Sequence, residues 1–137
     1  MKKLLILLFL SASIYAHAQS NTSTPLDIDQ RLLALYDEAY LDRLKKTNPF
    51  IIQRLNYYLD NAFYITDYPK GKAATYPSVE IPDLTNFNIL LLEKEQDLKR
   101  NWNKITVYQI KDTDKVLVYY AGKDFVKRLN EHYNRAH

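Results

Sequence analysis

Apolar and polar positions follow three rhythms along this chain, and each predicts a different kind of element. At the N-terminus, Leu4 to Leu10 is an unbroken apolar run behind Lys2 and Lys3. From Ile28 to Lys46 the apolar residues recur at helical spacing. Ile28, Leu32, Leu35, Tyr36 and Ala39 share one stripe, and Leu33, Tyr40 and Leu44 widen it. Asp27 is placed to cap this helix, and Lys45 and Lys46 suit the negative end of its dipole. Asn48-Pro49 then signals a second helix, Phe50 to Tyr64, with Ile52, Leu55, Leu59 and Ala62 or Phe63 inward. The short link between the two predicts an antiparallel helical hairpin.

Further on the rhythm shortens. Ile105, Val107, Tyr108 and Ile110 predict one strand and Val116 to Tyr120 a second, with Asp112-Thr113-Asp114 as the turn. After Ala121-Gly122 the helical period returns from Lys123 to about Arg135, with Phe125, Val126, Leu129 and Tyr133 inward. Phe87 to Trp102 fits either a helical stripe or a short buried strand. A strand opening at Phe87 to Leu92 is preferred, because a bare two-stranded hairpin is weaker than three strands with a helix on them. Between these regions, residues 66–86 hold Pro69, Gly71, Pro77 and Pro82 and read as a long loop. Tyr68, Tyr76, Val79 and Ile81 suggest that it packs down. The pattern predicts an α+β fold: an N-terminal helical hairpin, a small antiparallel sheet of two or three strands, and a C-terminal helix on the sheet.

The first rhythm concerns destination. Lys2 and Lys3, the apolar run and Ala16-His17-Ala18 before Gln19 make a complete secretory signal over residues 1–18. The run is about ten residues, half of what a spanning helix needs. Residues 19–26 read as a flexible leader and 27–137 as a single globular domain of sufficient size for one core. The expected setting is the periplasm or the exterior, with no stable membrane span after cleavage. There is no cysteine, so lipid attachment at the cleavage site, disulfides and thiolate chemistry are excluded.

Charge narrows the partners. The chain has 19 basic and 16 acidic residues, and loss of Lys2 and Lys3 leaves it nearly neutral. A nucleic-acid binder carries a concentrated positive excess, so nucleic acid is not expected. Tyrosine is the anomaly: twelve, against two glycines. Tyr joins a large apolar body to a polar tip and suits half-buried faces and interfaces.

Candidate chemistry is thin. No GxSxG or SxxK context surrounds any Ser, and no glycine-rich phosphate loop occurs. His132 and His137 are five apart and do not share a helix face as zinc ligands do. Asp27 and Asp29, and Asp112 and Asp114, read as cap and turn residues. Glu93 to Lys104 reads as a solvated charged face. No catalytic residue, metal site or cofactor is expected. The candidate binding residues for a ligand or partner are Tyr58, Tyr68, Lys70, Lys72, Tyr76 and Trp102, centred on the loop at 66–86.

With its signal ending Ala16-His17-Ala18 before Gln19 and a cysteine-free body rich in Tyr, Asn, Lys and Ile, the chain resembles small exported cell-envelope proteins of Bacteroidota of unknown function. The resemblance is one of composition and implies an envelope setting in a bacterium with two membranes. The expected function is non-enzymatic: a protein–protein contact, such as that of an accessory subunit of an envelope assembly. The alternatives are a small-ligand or glycan-binding periplasmic domain around Tyr68, Tyr76 and Trp102 and, further off, a hydrolase.

Overall fold

The computed structural model describes residues 26–71 and 75–134. The signal at 1–18, nearly all of the leader, Lys72 and His137 lie outside the described residues. Among the described residues the fold is α+β: four α-helices, a 3-10 helix and a four-stranded mixed sheet. In chain order the elements are a 3-10 helix (Gln30–Ala34), α1 (Glu38–Thr47), α2 (Pro49–Asn61), β1 (Phe63–Asp67), β2 (Ser78–Val79), α3 (Ile89–Gln96), β3 (Thr106–Ile110), β4 (Lys115–Tyr119) and α4 (Gly122–His132).

The expected helix from Ile28 to Lys46 is broken in two. Asp29, not Asp27, caps the 3-10 turn by accepting the Arg31 N–H at 2.9 Å. Asp37 then caps α1 by accepting the Tyr40 N–H at 3.2 Å. A cap residue bonds the backbone in an extended conformation and so stops the preceding helix. The break shifts the helical phase. Leu41 becomes fully buried, while Ala39, Tyr40 and Leu33 turn outward. Pro49 opens α2 as expected, and α1 packs against α2 across Asn48. The second helix stops at Asn61 rather than Tyr64, because Phe63–Asp67 is already strand β1.

The sheet order is β1-β4-β3-β2. β1 runs antiparallel to β4, with Tyr64 opposite Val118 and Thr66 opposite Val116. β3 and β4 form the expected hairpin. Its turn has Asp112 at φ 59, and the Gln109 side chain donates to the Thr113 carbonyl at 3.0 Å. β2 lies in the expected loop and pairs parallel to β3. The sheet therefore has four strands and mixed pairing, not two or three antiparallel ones. The extra strands do not come from Phe87 to Leu92, where α3 forms instead. Asn88 caps α3 by accepting the N–H groups of Leu90 and Leu91, and its amide donates to the Arg31 carbonyl at 2.7 Å. That cap, together with the helix formers of Leu91 to Gln96, decides against a strand.

One core joins the helices to one face of the sheet. Leu32, Leu41, Ile52, Leu59, Ile89, Phe125 and Leu129 from the helices meet Ile110, Leu117 and Tyr119 from the sheet. Among the described residues, no helix is long and apolar enough to cross a membrane.

Candidate functional site

The second face of the sheet is the candidate site. Alternation along the strands assigns Tyr64 and Thr66 of β1, Val107 and Gln109 of β3, and Val116 and Val118 of β4 to it. Tyr120 follows in the same phase after β4, and Ile105 precedes Val107 by two residues. An antiparallel sheet with one open face normally alternates apolar inward and polar outward. β4 breaks that rule. Val116 and Val118 are 1% and 4% exposed, yet they stand outside the core that the helices build. Their register neighbours Tyr64, Thr66, Val107 and Gln109 flank them on both sides. Apolar surface is left at the outer edge: Tyr64 is 40% exposed and Ile105 56%. The Tyr64 and Tyr120 rings lie 5.3 Å apart, and the Arg128 guanidinium sits 4.2 Å over the Tyr120 ring. These are flat, polarizable surfaces that hold their shape at little cost in side-chain entropy.

At the far end of the sheet the connection from β1 to β2 is tied down. The Tyr68 N–H donates to the Asp114 carbonyl at 2.7 Å, and the Gln109 N–H donates to the Pro77 carbonyl at 2.8 Å. The Tyr68 and Tyr76 rings meet edge to face at 5.7 Å. The expected site residues Tyr68 and Tyr76 are thus brought together, both half-buried, with Lys70 exposed nearby in sequence. Trp102 is not with them. It lies beyond the opposite end of β3, a strand of five residues, roughly 17 Å long. The pocket expected among Tyr68, Tyr76 and Trp102 is therefore not formed by those three.

Tyr58 is largely buried. It is 5% exposed, its ring packs edge to face on Phe125 at 5.3 Å, and its remaining surface lines a cleft with Arg54, Leu55 and Arg100. Its hydroxyl donates to Glu93 on α3. Glu93, expected on a solvated face, is instead a half-buried carboxyl on the Ile89–Leu92 stripe of α3. Burial raises its carboxyl above the ordinary range, against the opposing pull of the Tyr58 hydrogen bond and the Arg100 charge. The Tyr58 phenol is pushed upward too, first by burial and then by the charge of Glu93. Tyr119 approaches the same carboxylate from β4, close enough to feel its charge, but its buried hydroxyl forms no well-aligned hydrogen bond.

The linker between α3 and β3 carries Arg100 and Trp102 and is firmly anchored. The Tyr108 hydroxyl both accepts the Lys99 N–H and donates to the Lys99 carbonyl, each at 2.9 Å. The first N–H groups of α4, from Gly122 and Lys123, donate to the Asn101 and Trp102 carbonyls at 3.0 and 3.1 Å. These bonds satisfy donors that a helix start leaves open. Trp102 remains 59% exposed against Gly122, where a Cβ would lie 2.6 Å from its Cε3 atom.

Sequence reasoning missed Tyr64, Ile105, Glu93, Arg54 and Arg100. The apolar run Val116 to Tyr120 held the signal for the first two, since a strand apolar on both sides calls for cover on both faces. Comparison finds no matching family model, no matching curated protein and no matching solved structure.

Proposed function

We propose that this chain is an exported, non-enzymatic cell-envelope protein that acts by binding another protein through the outer face of its sheet. One observation carries the reading. Among the described residues, Val116 and Val118 of β4 stand outside the core that the helices build, and Tyr64, Ile105, Val107 and Tyr120 border them. Removing such surface from water favours association by about 25 cal/mol per Å². Aromatic residues of this kind act as anchors in protein interfaces. The signal-like residues 1–18 support the envelope setting, and the near-neutral charge after their removal favours a protein over a nucleic acid.

The test is mild cross-linking of the tagged protein in its native host, compared with the double variant Tyr64→Ser and Ile105→Ser. The wild type is expected to recover one dominant envelope protein at stoichiometric level, and the double variant to lose it. The two substitutions lie at exposed positions, where changes in stability are usually about 0.5 kcal/mol or less each. Equal recovery by both proteins, or recovery of no partner, contradicts the reading.

A further inference from the structure

A second feature lies on the helical side of the molecule, apart from the outer sheet face. A cleft of about 330 Å³ opens between α2, α3 and the linker after α3. Small-molecule sites start at about this size. Ile51 and Leu55 of α2 and Leu90 of α3 give it an apolar wall. Arg54 and Arg100 line it as well, and the same two arginines line an adjoining cleft of about 130 Å³ with Trp102, Phe125 and Val126.

The two guanidiniums differ from Arg31, which is clamped between Asp29 and Asp60 at 2.7 and 2.8 Å. Among the described residues, neither Arg54 nor Arg100 makes an ion pair with a carboxylate. Arg100 is held by stacking instead. Its guanidinium carbon lies 4.4 Å from the Tyr58 ring centre and 5.8 Å from that of Phe125. Stacking uses the face of a guanidinium and leaves its N–H edge for a planar anion. Glu93 lines the same cleft, where its carboxyl accepts from Tyr58 and lies within range of the Arg100 charge. A partly enclosed apolar cleft with two such cations strengthens the attraction for a carboxylate beyond its value in water.

We propose that this cleft binds a small amphipathic monocarboxylate, its apolar body against Ile51, Leu55 and Leu90 and its carboxylate held by Arg54 and Arg100. Trp102 is the sole tryptophan, and it sits in the lobe that shares both arginines, so its fluorescence reports occupancy. The purified protein is titrated with octanoate and with 3-phenylpropanoate, following Trp102 emission and heat in parallel. At least one is expected to bind saturably with one site per chain. The matching uncharged amide is expected to bind about tenfold more weakly or worse, the loss typical of a charged hydrogen-bonded contact. Arg54→Gln and Arg100→Gln are each expected to weaken the acid by a similar factor and leave the amide unchanged. Arg54 is exposed on α2, so its variant keeps the test valid even where loss of the Arg100 stacking disturbs folding. The proposal is overturned by acid and amide binding alike, by Arg54→Gln leaving acid affinity unchanged, or by absence of saturable binding of both acids at millimolar concentration.

Discussion

Glu93 is the residue on which burial and charge conflict most sharply. It occupies a core-facing position of α3, satisfied by one phenol and near a second. Its carboxyl ionises above the ordinary value of 4.5 in the folded protein. The folded state therefore keeps a proton that the unfolded chain has already lost. Below pH 4.5 both states are protonated and Glu93 carries no penalty. As the pH rises from there through the raised value, the wild type loses stability, and above that value the loss is constant. Glu93→Gln keeps an acceptor for Tyr58 and removes the charge. Urea unfolding is expected to show the Gln variant gaining on the wild type between pH 4.5 and 8 and matching it near pH 4. A constant difference across that range would show that Glu93 ionises alike in both states.

At the scale of elements, two contacts decide structure where hydrophobic pattern alone does not. Asn88 bonds two N–H groups of α3 and the Arg31 carbonyl. Asn88→Ala is expected to cost about 1–2 kcal/mol, the upper part of the range for lost N-caps, measured by urea denaturation. Gly122 lies under the Trp102 ring, and a methyl group there would overlap Cε3 at 2.6 Å. Gly122→Ala is expected to displace the ring and cost about 1–3 kcal/mol, as overpacking does. Trp102 emission is expected to shift to the red; an unchanged spectrum and midpoint would show that the ring yields freely. The same scale explains what could be read in advance. The β3–β4 hairpin, α4 and the Pro49 start of α2 were legible because turn residues and periodicity agree there. β1 was not, because only Ala62 separates it from α2 and no turn signal marks the change. The break at Asp37 was hidden because Ile28, Leu32 and Tyr36 pack inward on either reading. Arg54, Arg100 and Glu93 come from separate elements, so their meeting is a tertiary fact that no local pattern carries. Trp102 was legible as a candidate from its type alone, and Tyr58 was too, but its burial was not.

At the scale of the molecule, the helices build their core against one face of a four-stranded sheet, and among the described residues the other face carries Val116 and Val118 flanked by side chains of neighbouring strands, with Arg128 of α4 over Tyr120 at one end. The two ends of that face differ. The Tyr68–Tyr76 ring pair ties the β1–β2 connection at one end, while Tyr64, Ile105 and Tyr120 border the other. A partner that covers the face is expected to touch the second end first, because more apolar surface is free there. The most direct measurement is photo-cross-linking in the native host, with a light-activated side chain placed in turn at positions 64, 105 and 94. Lys94 is exposed on α3, away from the sheet. A protein bound to the outer face predicts one and the same cross-linked envelope partner from positions 64 and 105 and none from 94. Products equal at all three positions, or none from 64 and 105, would contradict the outer face as the binding surface.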